Sequence, residues 1–480
     1  MTLQKRKYLP FSGLIGQKAS GENGKNTTLM LTCLFGAFAF LQFTVLGLAN
    51  HAGEGLFSIQ KRDLVYYALQ IFVIFGYLLY ALVSGFVKRK QVRTAVVFSV
   101  IGAFPVLSIL LCLLGPDSIL YVIVSMCAAL CLGILGGHAH LRMSMASRMG
   151  SDAARSMGLG SSAAIVLQYF IQIRWSFPWL LLAFMLMSYA LFLIMLRQTD
   201  HEETQEEGGK TEKTMPGRIV LLVVITAIFI LFACFYNEFI HHLMIRSGYA
   251  SANVYSWPRL MMVQVYLLFA AIGDRKRGKY VPIVSLCIML IALLNAVLIG
   301  NSGAYWLNMC FFYIIVAANT CYYLLGFWNL APGTKHPALW APFGRMLDSA
   351  MVLIAGILNI SSFPMPVVLG AEIVGIAAVI VMMAAGGNFN LNDPPAAPMG
   401  SAVLSAEETL ERIRGSYGLT RREADVLREL VCTEDKQNAI SDRLNIKVKT
   451  LQDYVTRLYR KTGTSTRSGL TDLYHRTMTN

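Results

Sequence analysis

Apolar runs of bilayer length recur along the first 385 residues, and they constrain this chain more than any other feature. A hydrocarbon core takes about 20 residues of helix to cross. Twelve such runs are read, at 28–48, 64–87, 94–114, 119–142, 158–173, 175–196, 219–241, 257–272, 280–299, 306–327, 346–360 and 366–385. The fifth, eighth and eleventh are short, so their edges are loosely set. Composition agrees with a membrane protein. Of 480 residues, 55% are hydrophobic and only 14% charged, where soluble domains carry roughly 25%. Mean hydropathy is +0.54. The N-terminal basic residues Lys5, Arg6, Lys7, Lys18 and Lys25 spread too far for the start of a signal peptide, and no cleavage site follows the first run.

The basic residues between the runs alternate. The N-terminal tail has five, and Lys61 and Arg62 follow the first run. Lys88, Arg89, Lys90 and Arg93 come next, then none at 115–118. Arg142, Arg148 and Arg155 fill the fourth connection and Arg174 alone the fifth. The sixth has Arg197, Lys210, Lys213 and Arg218, and the seventh has Arg246, with Arg259 just inside the next run. Arg275, Lys276, Arg277 and Lys279 follow, then none at 301–305, then Lys335 and Arg345, then none at 361–364. Cytoplasmic loops are the basic ones, so both ends of the chain are expected in the cytoplasm. Part of the formal net charge of +14 belongs to this bias, and the rest leaves nucleic acid as a partner to consider.

The longest internal polar connection, 198–217, carries Asp200, Glu202, Glu203, Glu206, Glu207 and Glu212. It splits the runs six and six. Two six-helix halves joined this way resemble the major facilitator superfamily. The turn Gly273-Asp274-Arg275-Lys276-Arg277-Gly278-Lys279 is close to that family's basic turn, with one extra residue. Its counterpart, Ser84-Gly85-Phe86-Val87-Lys88-Arg89-Lys90, lacks the aspartate. The resemblance implies a central cavity lined by spans one, four, seven and ten. Carried onto this chain, that cavity would hold Gln42, Tyr236, Asn237, Glu238, Tyr313 and Asn319. Such a set, with His241 near it, suits a small polar or cationic aromatic ligand.

Ionisable residues inside a membrane are functional candidates. The first six spans hold no acid away from their ends, whereas the second half has Glu238, Asp348 and Glu372. Glu238 also fits an interfacial position, and Asp348 fits a pair with Arg345 three residues away. Glu372 is the hardest to explain structurally, although a partner on another helix would do so. The nine cysteines show no disulfide or zinc spacing, and Cys127 and Cys131 read as small apolar fillers. Gly158-Leu159-Gly160-Ser161-Ser162 has no lysine to make a phosphate loop and reads as a surface for close helix packing.

Past Ala385 the composition changes. Residues 386–403, with Pro394, Pro395 and Pro398, read as a linker. Thr420-x-x-Glu423 is a capping box opening a helix with Val426, Leu427, Leu430 and Val431 on its apolar face. A second helix over about 436–444 buries Ile440 and Leu444, and Asn445 marks the tight turn after it. A third, over about 448–461, buries Leu451, Val455 and Leu458 and stops at Gly463. A fourth covers about 467–474. Residues 447–461 hold five basic residues against one acid, Asp453, whereas 401–480 as a whole is only +3. A basic second helix after a short turn is how a helix-turn-helix enters the major groove.

These residues resemble the LuxR/NarL regulators. The match runs through Leu419-Thr420-x-x-Glu423-x-x-Val426-Leu427, Ile440-x-x-x-Leu444-Asn445-Ile446, Lys449-Thr450-Leu451, Lys461-x-Gly463 and Arg467. The resemblance implies base reading by Gln452, Asp453 and Thr456, and phosphate contacts from Lys449, Thr450, Arg457, Arg460 and Lys461. It also implies double-stranded DNA as partner and a homodimer formed through this domain on DNA. The chain departs from the family in three ways. Residues 432–435 contain no glycine, Lys447 stands where a Ser or Thr commonly caps the helix, and Thr462 and Thr464 replace apolar residues.

The expected fold is all-α, a polytopic 6+6 transmembrane bundle with a C-terminal four-helix helix-turn-helix domain. Its expected division is a cytoplasmic tail (1–27), the two halves (28–197 and 218–385) around an acidic cytoplasmic loop (198–217), the linker (386–403) and the DNA-binding domain (404–480). The expected role is an inner-membrane regulator sensing an unknown small ligand, with membrane lipid and DNA as its other partners. A secondary transporter with an appended regulatory domain is the alternative. No nucleophile triad, phosphate loop or metal cluster is present in the sequence, so neither catalysis nor a cofactor is expected.

Overall fold

The computed structural model describes residues 15–479 other than 53–55, 58, 87–89, 149–151, 176, 204–215, 247–255, 275–277, 279, 300–304, 386–405, 434–436 and 465. Hydrocarbon offers backbone amides no partner, so a spanning segment must close its own hydrogen bonds. Among the described residues all regular structure is helical. The chain divides into two compact units, Met1–Asp393 and Pro394–Asn480, at a point inside the linker read from the sequence.

The first unit begins with α1 (Ile15–Ala49), α2 (Ile59–Phe86), α3 (Lys90–Leu113), α4 (Ile119–Arg148), α5 (Ala153–Gln168) and α6 (Pro178–Glu203). It continues with α7 (Pro216–Arg246), α8 (Met261–Ile272), α9 (Val281–Ile299), α10 (Tyr305–Leu330), a one-turn α11 (Pro337–Trp340), α12 (Phe343–Ile357) and α13 (Met365–Ala385). Among the described residues the apolar runs are largely helical, and eight helices there are long and apolar enough to cross a membrane. Helix α1 starts well before residue 28, inside the expected tail. Helix α6 runs on through Glu203, into the expected acidic loop, whose residues 204–215 lie outside the described ones, as do residues 87–89, 275–277 and 279 of the two basic turns. A wide-turned π segment, Tyr169–Trp175, extends α5, and no feature of the sequence announced it.

Helix contacts repeat between the halves. In the first half α1 packs on α4, α5 and α6, and α4 packs on α2 and α3. In the second half α7 packs on α10, α12 and α13, and α10 packs on α8 and α9. Across the halves α5 meets α8 and α2 meets α12, with α4 against α10 between them. Shifting every span by six exchanges these pairs, so the bundle is an approximate two-fold repeat.

Small residues set how closely the helices approach. A Cβ on Gly133 of α4 would lie 2.7 Å from Gly76 Cα and 2.8 Å from Tyr77 N on α2. The Gly158–Ser162 stretch packs as its composition suggested, on two sides. A Cβ on Gly160 would lie 2.8 Å from Gly36 N on α1, and one on Gly158 would lie 2.6 Å from the Ala270 methyl on α8. Lipid competes equally for apolar surface, so such close van der Waals contact is what holds membrane helices together.

The second unit has α14 (Ala406–Tyr417), α15 (Arg421–Cys432), α16 (Gln437–Arg443), α17 (Val448–Thr462) and α18 (Arg467–Thr479). The last four are the expected helices. Helix α14 precedes them and packs on α15 and α18. Their core is their own, with Ile413, Leu427, Ile440, Leu451, Leu458 and Leu470 at its centre.

Gly133→Leu should force α2 and α4 apart at a cost of about 1–3 kcal/mol or more, lowering the melting temperature and monodisperse yield in detergent. Gly85→Leu should leave both unchanged, because a Cβ there meets nothing within 4 Å.

Candidate functional site

Helix α17 advances about 100° per residue, the angle implied by 3.6 residues per turn. Leu451, Val455 and Leu458 therefore share one side, and all three are buried against α15 and α16. The opposite side carries Lys449, Asp453, Thr456, Arg457 and Arg460, flanked by Gln452 and Thr450, and every one of these seven is exposed. The structure thus gathers all three expected base readers and four of the five expected phosphate holders on one face.

Lys461 is the exception. Its Nζ donates to Glu423 Oε2 at 2.7 Å and to the Gly418 carbonyl at 3.0 Å. Glu423 is also the capping-box residue of α15. Its Oε2 accepts from Thr420 N at 2.8 Å, and Glu423 N donates to Thr420 Oγ1 at 3.3 Å. Lys461 therefore ties the end of α17 to the start of α15, and its ammonium is committed within the domain instead of standing on the exposed face. Burial pushes the Glu423 carboxyl up, but the bonds from Lys461 and Thr420 outweigh it and hold the group below the ordinary glutamate value of 4.5.

Backbone turns fix the angle of α17. Asn445 sits at φ 49°, and Ile446 N donates back to the Ser441 carbonyl at 3.0 Å, closing α16 with a left-handed cap. Gly463 ends α17 at φ 71°. Lys447 gives α17 no side-chain cap, so amides of the first turn point outward without a partner from that residue. Arg467 Nε donates to the Leu430 carbonyl at 2.8 Å, and Nη2 donates to Thr433 O, so a cation closes the carbonyl end of α15. The glycine-free turn noted in the sequence lies largely at 434–436, outside the described residues.

In the membrane unit a cavity of about 260 Å³ lies between the halves. Of the ligand residues expected from the family, Gln42 and Tyr313 line it. The other four, Tyr236, Asn237, Glu238 and Asn319, and the further candidate Glu372 are not among its lining residues. Tyr236 donates its hydroxyl to Asn308 Oδ1 at 3.0 Å and accepts from Asn295 Nδ2 at 3.2 Å, facing α9 and α10. Asn319 donates to the Phe229 carbonyl at 2.7 Å. Asn237 is exposed, and neither it nor the half-buried Glu238 is among the lining residues. Glu372 is 1% exposed on α13, away from the cavity, and neither carboxyl oxygen has a hydrogen-bond partner among the described residues.

The cavity is built around Arg345 instead. Its Nη1 donates to the Tyr323 hydroxyl at 2.6 Å and to Asp348 Oδ2 at 3.0 Å. Gln42, with its amide oxygen turned to the guanidinium, accepts from Nε at 3.2 Å. The i, i+3 spacing foretold the Arg345–Asp348 pair. It gave no sign that the pair faces a cavity. Arg259 enters the lining from the start of span eight, its guanidinium 5.7 Å from the centre of the Phe43 ring. His140 closes the deep end, where Trp328 Nε1 donates to its Nδ1 at 3.1 Å. Asn50 and Tyr66 stand exposed at the other end.

Residues 418–474 match the family described as bacterial regulatory proteins, luxR family. Solved structures similar to the chain include the human organic anion transporter TETRAN, 12% identical, with TM-score 0.49, covering 76% of this chain and 98% of that one. They also include FucP, a Major Facilitator Superfamily transporter in the outward conformation, 10% identical, with TM-score 0.41, covering 75% of this chain and 98% of that one. No curated protein is similar enough to count as a match.

Glu423 is held low in the folded state, so its contribution to stability is present above about pH 4.5 and fades as pH falls through its folded value. The second unit should therefore show an acid-labile step that Glu423→Gln removes, followed by circular dichroism against pH. Near neutral pH the same substitution should cost about 1.5–3 kcal/mol, the range for hydrogen bonds to charged groups.

Proposed function

We propose that this chain, a luxR-like DNA-binding domain joined to a twelve-helix membrane bundle, is a one-component transcriptional regulator of the inner membrane. The bundle binds a small ligand between its halves, and the C-terminal domain binds duplex DNA from the cytoplasm. The exposed polar face of α17 carries the reading. It sets Gln452, Asp453 and Thr456 beside Lys449, Arg457 and Arg460 on a helix whose other side is sealed into a core. A glutamine suits the N6/N7 edge of adenine and a carboxylate accepts from cytosine N4. The cations, with Thr450, meet phosphates and set register. Lys461 acts as a positioning residue. Uncapped amides at the start of α17 add donors suited to a phosphate.

The alternation of basic connections supports cytoplasmic ends for the chain. On that orientation the end of the cavity marked by Asn50 and Tyr66 faces outward, and the His140–Trp328 end faces the cytoplasm. A ligand that prefers one arrangement of the halves shifts the bundle toward it and thereby changes the placement or pairing of the DNA-binding domains. Two bound domains would form the homodimer expected from the family. The cavity also suits a transporter with a regulatory appendage. Counterflow of a bound ligand in proteoliposomes would support that alternative, and binding without counterflow supports the sensor.

The test is a gel shift of the nanodisc-embedded chain on its own upstream DNA at about 50 mM salt, with affinity falling steeply as salt rises. Arg457→Ala should weaken binding uniformly across sequences and lower the salt slope by about 1, while Gln452→Ala should relax discrimination at one base pair, worth about 1–3 kcal/mol. Absence of any specific shift at low salt would sink the reading.

A further inference from the structure

One buried acid of the membrane unit takes no part in the cavity. Glu372 lies in the first half of α13 and is 1% exposed, so its carboxyl faces protein and not lipid. Neither oxygen has a hydrogen-bond partner, and among the described residues no ion pair reaches it. An isolated carboxylate is very costly in such a place, and a group held there sheds its charge by taking up a proton. An amide or an apolar side chain would fill the same volume without that cost, so an acid here marks a function by default.

The surroundings of Glu372 are polar and short of donors. Helix α13 packs on α7 and α9. From α7 the Tyr236 hydroxyl comes within electrostatic reach of the carboxyl. That hydroxyl donates to Asn308 Oδ1 at 3.0 Å and accepts from Asn295 Nδ2 at 3.2 Å. Asn295 Nδ2 also donates to Asn308 Oδ1 at 2.6 Å, while Asn295 Oδ1 accepts nothing. Two oxygens of Glu372 and one of Asn295 thus lack a donor, and a proton on the carboxyl brings one to this region. Arg218, Cys234, Glu238 and His241 on α7 and Cys287 on α9 are the other titratable groups of these helices among the described side chains, and none of them offsets the burial of Glu372. A Cβ on Gly375, about one turn further along α13, would lie 3.3 Å from Ile228 Cγ2 on α7, so the two helices sit close beside the carboxyl.

We propose that Glu372 is a proton-binding site of the membrane unit, occupied while α13 stays packed on α7 and α9 and emptied when that packing opens. On release the O–H bond breaks, its electron pair stays on the carboxylate, and the proton passes to water. The charged form favours the opened packing, so the proton and the packed arrangement strengthen each other by the same factor. The site goes beyond the reading of the bundle as a ligand sensor and stands independently of it.

The test uses the full chain in nanodiscs. Infrared difference spectra at pH 7, where an ordinary glutamate of pKa about 4.3 is ionised, should show the carbonyl stretch of a protonated carboxyl that Glu372→Gln removes. Dicyclohexylcarbodiimide, an apolar reagent that adds to protonated carboxyls, should modify Glu372 of the unaltered protein, as located by mass spectrometry, so the assignment does not depend on the variant folding. As pH rises the band should fade together with the hydrogen-exchange protection of α13. At that same pH the Glu372→Gln protein should keep its protection. Absence of the band at pH 7, its survival in the variant, its persistence at every accessible pH, or its loss with α13 still protected overturns the assignment. So does sodium shielding Glu372 from the carbodiimide at constant pH, which would make this a metal-cation site.

Discussion

Inside hydrocarbon a helix gains nothing from hiding apolar surface from lipid, so the membrane unit depends on how closely its backbones can approach. Gly76 and Gly133 bring α2 and α4 together, and Gly36 and Gly160 do the same for α1 and α5. Gly158 then lets α8 of the other half onto the opposite side of α5. One short glycine-serine stretch is thus shared by two interfaces, one within a half and one between halves. The cavity is the space left where the halves face each other around α4 and α10.

Several polar side chains of that bundle bond across helices. Trp328 bonds to His140, Ser144 to the Trp328 carbonyl, and Ser349 to Gln70. Each bond links the two halves, as a bundle that must hold one arrangement requires. Arg345 joins the same pattern through Gln42, Tyr323 and Asp348, so the charged centre of the cavity is also a tie between α1, α10 and α12. Anything that disturbs that guanidinium alters both the charge of the space and the fit of the helices around it.

Local backbone chemistry made the DNA-binding domain readable from its sequence. Thr420 and Glu423 could only be a helix start, Gly463 a helix stop, and Asn445 a left-handed turn, and all three positions are as their chemistry demands. The amphipathic pattern of α17 then settled which side faces out. Membrane helices offer no such stripe, because they are apolar nearly all round. Their existence was plain from length and hydropathy, but their rotation was not, and rotation decides whether a side chain such as Tyr236 faces the cavity or the neighbouring helices. Rotation is set by packing against neighbours that the sequence does not name. For the same reason the committed ammonium of Lys461 was invisible, since Glu423 lies 38 positions away.

The tie from Lys461 to Glu423 fixes the end of α17 against the start of α15. One such domain can offer duplex DNA one fixed set of contacts, and no adjustment of those contacts is open to a distant signal. What remains adjustable is multiplicity. When two domains are held within reach of adjacent half-sites, the first to bind raises the effective concentration of the second, so avidity climbs by factors of about 10²–10⁴ with no new contact formed. A rigid reader thereby turns a small change in spacing into a steep change in occupancy.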